Sequence, residues 1–344
     1  MTKERPKLGP SAIVNDPPRV IDLTTVEDGS SALGAAAMVA LHAPSVHNTQ
    51  PWHWRVATDR LELYADERWR LNMADPDGRL MVLSCGTALH HARTALRAMG
   101  YLPAVQRFPD PYKPRLLARV TIKKPIQETS HARAAMQAAL RRQTDRRPFS
   151  SEPLSEAMAS ELQRAAASEG AWLHLLDPTQ TETLLIAAER AEGVEYSEPE
   201  YREELAQWTG RPEHDSAGVP RSVISPRGRG YHETGTYAVL YGSGDRPSSW
   251  LRAGEALSAV WLTATVAGLA LQPISAVIEV PAARAVLQRL LSGIGSPYLA
   301  MRIGVPVGEP PPVRTPRREM ETTVDMDAAR PREPATPPNP PTTP

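Results

Sequence analysis

The chain has 344 residues, 41% of them hydrophobic and 23% charged, enough to bury a sizeable core in one large or two modest domains. Lys+Arg and Asp+Glu both number 39, so the formal net charge is +0 and no global field favours nucleic acid or an anionic membrane. A single cysteine, Cys85, excludes an internal disulfide and any multi-thiolate metal site.

Residues 1–29 carry Pro6, Pro10, Pro17 and Pro18 among polar groups and read as a loosely ordered arm. The N-terminus has no apolar segment of the secretory type, and the run from Leu33 to Leu41 is far shorter than the ~20 residues that span a bilayer. A cytoplasmic protein is expected. Ser30 and Ser31 cap an Ala-rich helix that continues to His42. The stretch Ala43-Pro44-Ser45-Val46-His47-Asn48-Thr49-Gln50-Pro51-Trp52 follows. Here proline stops the helix, a hydroxyl and two amides crowd together, and Pro51-Trp52 restarts the chain as extended backbone. Such a turn suits a flat polar ligand.

Alternation predicts strands at 52–56 and 60–65, joined near Thr58-Asp59. Three- and four-residue spacing predicts a core helix from Leu80 to Met99, stopped by Gly100 and carrying Cys85 as a buried small hydrophobe. A strand at 116–122 closes a first half of helix, two strands, helix, strand. Helices at 131–141 and 155–168, a strand at 171–176 and a mainly helical 179–208 open the second half. Residues 211–235 are punctuated by Pro, Gly and Ser and read as a long irregular excursion, the place for a lid. A strand at 236–241, an apolar helix at 250–267, a tight connection at Pro273-Ile274, a helix at 282–291 and a strand at 298–305 complete the ordered chain. Residues 321–344 read as a Pro-rich disordered tail.

In Asn48-Thr49-Gln50-Pro51-Trp52 the chain resembles the FMN-dependent nitroreductase superfamily, and more closely its Acg-like actinobacterial branch. The resemblance implies an α+β nitroreductase-like fold, FMN as cofactor, and NAD(P)H as reductant for a small-molecule electron acceptor of nitroaromatic or quinone type. Arg142, Thr144 and Arg146 are similar to the superfamily's Arg-x-Ser-x-Lys/Arg pattern, which implies that Arg142 binds the flavin phosphate and that Arg146 lies near the ring. Thr315-Pro316-Arg317-Arg318 resembles the basic element that completes the phosphate site, with Arg317 as second anchor. Charge alone would make that cluster a solvated face. Gly268 to Ser275 resembles the turn whose backbone approaches flavin N5, which points to Pro273, Ile274, Ser275 and Ala276, although a plain strand-entry turn has the same pattern. Pro44, Ser45 and Asn48 match positions that contact the ring from a neighbouring subunit. Asn48 is read as that contact rather than as a turn amide, whereas Trp52 is read as core packing.

The Asn-x-Gln-Pro-Trp element occurs only in the first half (30–125) and the Arg-x-Ser-x-Arg-like element only in the second (126–320). The expectation is two related halves fused as an intrachain pseudo-dimer, a monomer open to further self-association, that assembles a single FMN site. The first half is then a degenerate copy. Neither metal nor nucleic acid is expected as a partner, and no side chain beyond the flavin contacts is named as catalytic, because the flavin carries the redox chemistry. A lid at 211–235 leaves an alternative open: a protein that sequesters FMN with little turnover.

Overall fold

A computed structural model describes residues 13–14, 28–209, 234–308 and 315–326. The greater part of the expected arm (1–12 and 15–27), of the lid (211–233) and of the tail (327–344) lies outside the described residues. Ile13–Val14 is a short strand, β1. Helix α1 (Gly29–Ala40) starts one residue before the predicted serines. Its cap is Asp28, whose carboxylate accepts from Ser31 N at 2.8 Å while the Asp28 N–H donates to Ser31 Oγ at 3.0 Å. Ser31 thus closes a capping box from inside the helix.

Strands β2 (Trp52–Val56) and β3 (Arg60–Ala65) form the predicted hairpin, and α2 (Arg79–Ala98) the predicted core helix. The sequence gives no sign of the next strand, β4 (Tyr101–Arg107), which leaves Gly100 (φ +79°) directly and pairs antiparallel with β5 (Leu116–Pro125). Strand β4 lies at the sheet edge, none of its residues is fully buried, and its register slips at Leu102/Pro103. An edge position tolerates proline and erases the alternation that would have announced a strand.

The second half opens with α3 (Ser130–Arg141) and α4 (Glu156–Ser168), followed by β6 (Trp172–Leu175). Two helices, α5 (Pro178–Ser197) and α6 (Pro199–Thr209), precede β7 (Thr236–Gly242) and α7 (Pro247–Val266). Then come β8 (Ala270–Ile274), α8 (Ala276–Glu279), α9 (Pro281–Leu290) and β9 (Ser296–Gly304). The described chain ends in β10 (Arg317–Arg318), α10 (Met320–Thr323) and β11 (Val324–Asp325). Residues 321–326, expected in the disordered tail, are therefore ordered. They are held because Val324 and Asp325 pair in parallel with Trp54 and Arg55 of β2.

The topology displays the fusion. The first sheet runs β11-β2-β3-β5-β4 and the second β6-β7-β9-β8. Leaving out β11, each sheet has two antiparallel strands, a long helix and two more strands, with the last strand inserted between the first pair and the third strand; in the second sheet α5 and α6 interrupt the first pair, and α8 and α9 separate β8 from β9. The equivalent helices α2 and α7 have 20 residues each, and the eighth residue of each is a glycine, Gly86 and Gly254. The two helices touch there. A Cβ on Gly86 would stand 2.1 Å from Leu251 O, and one on Gly254 would stand 1.9 Å from Leu83 O. Beside the crossing, the fully buried Glu255 carboxylate accepts from Arg93 of α2 at 2.5 Å and from Arg107 of β4 at 2.6 and 2.9 Å. One continuous apolar core, with Trp52, Trp54 and Trp261 at most 1% exposed, passes through both halves. The reading of Trp52 as core and of Cys85 as a buried thiol agrees with this packing.

Candidate functional site

The residues after α1 adopt backbone that side chains other than glycine rarely accept. His47 (φ +43°), Asn48 (+57°) and Gln50 (+50°) are left-handed, three of the five such non-glycine residues described. Left-handed residues cost on the order of 1 kcal/mol or more each and persist only where neighbours over-determine them. Thr87 Oγ1 donates to Pro44 O at 2.7 Å, Val46 N donates to Ser84 Oγ at 3.1 Å, and Gln50 N donates to Ser45 Oγ at 2.9 Å. Gln50 locks the turn with both ends of its amide: Nε2 donates to Asn48 O at 3.2 Å, and Oε1 accepts from Arg318 N at 2.9 Å. Ser45 accepts within the turn and keeps its own hydroxyl hydrogen for donation.

Two arginines from the second half reach this turn. Arg142, at the C-terminal cap of α3, and Arg317, in β10, both donate to the His42 carbonyl, at 3.3 and 3.2 Å. Arg317 also donates to Asn48 Oδ1 at 3.3 Å, while Asn48 Nδ2 donates to Pro316 O at 3.0 Å. Arg142 is 7% exposed, lies 4.4 Å over the Trp261 ring and has no carboxylate partner among the described residues. Its Nε is buried without an acceptor. Burial first, then the Arg317 charge, pulls its guanidinium down from 12.5 to about 9. An arginine is still charged at neutral pH, so this is a desolvated cation beside a second cation, a site that an anion would complete.

The segment after Arg142 runs along β8. Thr144 bridges to Leu271, and Asp145 N donates to Leu271 O at 3.2 Å. Arg147 is held by the Asp145 carboxylate at 2.6 Å, and Arg146 is half-buried between them in sequence. Pro273 and Ile274 are not a tight connection: they belong to β8 and pair with Met301 and Ala300. An edge strand has room for Pro273. The turn comes at Ser275, whose carbonyl accepts from Ile278 N at 2.7 Å to start α8, with Ala276 buried behind it. At the far end of α8, Glu279 Oε1 lies 3.7 Å from His47 Nε2, so this turn abuts the left-handed one.

Comparison with known proteins gives the family of the chain. The Mycobacterium tuberculosis protein named "Putative NAD(P)H nitroreductase Rv3131" is 34% identical over 310 residues, 83% of this chain and 89% of its own length. A second protein of that organism, "Putative NAD(P)H nitroreductase acg", is 32% identical over 321 residues, 87% of this chain and 97% of its own. The chain belongs to this NAD(P)H nitroreductase family. No family model matches it. Among solved structures, the FMN-dependent nitroreductase NfnB from Mycobacterium smegmatis in complex with NADPH is similar at 15% identity and a TM-score of 0.41, over 56% of this chain and 98% of that one.

In this member of the family the structure brings Arg142 and Arg317 to the His42 carbonyl, sets Asn48 against Arg317, and sets Thr144 beside the strand that bears Pro273 and Ile274. Pro44 and Ser45 act as turn anchors through the bonds above, and Arg146 is half-buried on the segment that runs beside β8. Sequence reasoning passed over the His42 carbonyl and Trp261. A backbone oxygen has no sequence signature, and Trp261 lies within an apolar helix where an arginine's resting surface reads as core.

Proposed function

We propose that this chain binds one FMN between its two halves and uses it to pass electrons from NAD(P)H to a small nitroaromatic or quinone-type acceptor. The observation that carries the reading is the pair of cations from the second half, Arg142 and Arg317, both resting on the first half's His42 carbonyl and lacking an anion at Arg142. The donor set fits a phosphate monoester: two guanidiniums, one with a buried free Nε–H. Asn48, already in contact with Arg317, offers a two-sided amide suited to the pyrimidine edge of a ring. Thr144, Ser275 and Ala276 border the same region, and Arg146 would set a positive charge near it.

When bound, FMN supplies a two-electron carrier able to accept hydride. The chain's part is to hold the phosphate and to orient the ring through Asn48 and the Ser275 turn. Anaerobic stopped-flow mixing with NADH or NADPH tests the reading. Rapid loss of the oxidised flavin absorbance is expected, whereas reduction by dithionite alone would replace the enzyme with a flavin-sequestering protein.

A further inference from the structure

Behind the Ser275 turn lies a group of acids that the flavin contacts do not use. Glu195, near the C-terminus of α5, is 7% exposed, and the Glu279 side chain at the end of α8 is 2% exposed. The two carboxyls stand against each other, with the Tyr201 hydroxyl of α6 beside Glu195. Glu195 Oε1 and Glu279 Oε2 are both buried without a hydrogen-bond partner. Two carboxylates cannot both stay ionised in such contact, away from water, so the pair holds a proton. Burial first, then the Glu279 charge, raises Glu195 to about 9.

The surrounding groups keep that proton in place. From α5, Glu192 adds a further negative charge, while Tyr201 of α6 bonds Glu195 and has Tyr196 beside it. Asp75, 3% exposed, feels the Glu279 charge from the loop before α2, but its oxygens accept from Leu80 N and Met81 N at 3.1 and 2.7 Å. Glu204 of α6 is engaged by the backbone N–H groups of Asn72, Met73 and Ala74. Among the described residues the imidazole at the pair is His47, whose Nε2 is 3.7 Å from Glu279 Oε1 and whose side chain is 26% exposed. His47 precedes Asn48 in the left-handed turn, so it joins the buried pair to the ligand-facing turn.

The reaction has a use for such a proton. Two-electron reduction of a quinone or nitro group places two protons in the products, and the hydride of NAD(P)H brings two electrons with only one of them. The balance is acceptor plus NAD(P)H plus H⁺ giving reduced acceptor plus NAD(P)⁺, with water released from a nitro group. We propose that the Glu195–Glu279 pair stores this missing proton and that His47 relays it to the acceptor. His47 Nε2 takes the proton from the pair as its Nδ1 proton leaves toward the site, and solvent refills the pair. The proposal rests on the oxidoreductase reading above.

The test uses the full chain loaded with FMN, NADPH as reductant and a benzoquinone as acceptor. Infrared spectra at about pH 7 are expected to show a protonated carboxyl band in the wild type, with or without FMN, that Glu195→Gln removes. In stopped flow the variant should lose at least about tenfold in acceptor reduction at about pH 8, with the loss shrinking toward about pH 6, where solvent protons substitute. His47→Asn should keep the carboxyl band and show the same rate loss. A wild type without that band, or a loaded Glu195→Gln protein with the wild-type pH profile, overturns the proton store. A chain that binds no FMN, or is not reduced by nicotinamide, instead overturns the oxidoreductase reading and with it any use for the store.

Discussion

Replacing Arg142 with methionine should raise the stability of the flavin-free protein and abolish its response to flavin. The lowering of Arg142 from 12.5 to about 9 corresponds, at about 1.4 kcal/mol per tenfold, to an upper bound of about 5 kcal/mol for keeping the cation buried. Part of that is offset in the wild type by the Trp261 ring at 4.4 Å, worth about 1–2 kcal/mol, and by the long bond to His42 O, worth about 0.5–1 kcal/mol. Methionine keeps the packing volume and removes the charge, so a net gain of about 2 kcal/mol is expected, about 3 °C in Tm for a chain of this size. Flavin reverses the order. At a hundredfold excess over its Kd a ligand stabilises its site by about 2.7 kcal/mol, a gain open to the wild type and closed to the variant. Calorimetry in phosphate-free buffer, with and without FMN, reads both effects. A variant that melts several degrees below the wild type without ligand, yet keeps the full FMN shift, would make Arg142 a structural anchor and refute the anion argument.

Gly254→Ala should destabilise by about 3 kcal/mol or more, because its Cβ must displace the α2 backbone from 1.9 Å. Gly193→Ala, on the exposed face of α5 with nothing within 4 Å, should instead stabilise by about 0.5–1 kcal/mol, and thermal melts of the two separate helix propensity from the crossing. Burial holds Glu195 protonated in the folded chain while the unfolded chain releases that proton above about pH 4.3. Wild-type stability therefore falls from there up to about pH 9 and is level beyond. Glu195→Gln removes the fall, so denaturant midpoints of variant and wild type should diverge over that window by at most about 1.4 kcal/mol per pH unit. Asn48→Ala removes the bonds to Pro316 and Arg317 and leaves alanine in left-handed backbone, so FMN affinity in a fluorescence titration should fall about tenfold.

The sequence made the hairpin at 52–65, the core helix at 79–98 and the later helices legible through periodicity, since each buries one face. It left β4 unread, because an edge strand with Pro103 and no buried position has no alternation to show. Placing the turn at Pro273-Ile274 failed for a related reason: proline usually marks a break, but the edge strand β8 absorbs it. At the site, Asn48, Arg142 and Arg317 could be named as candidates from short motifs. The meeting of Arg142 and Arg317 at the His42 carbonyl, with Asn48 against Arg317, depends on β10 returning to the turn after α1, a long-range return that local spacing does not encode. Glu195, Glu279 and His47 are more than 80 residues apart along the chain and become a group only through the packing of α5 against α8.

The fusion of two halves into one flavin site is tested most directly by counting flavin. Absorbance of the purified, FMN-saturated protein against chain concentration, with the mass measured in solution, should give one FMN per chain in a monomer. Two FMN per chain, or one bound only between separate chains, would contradict the account.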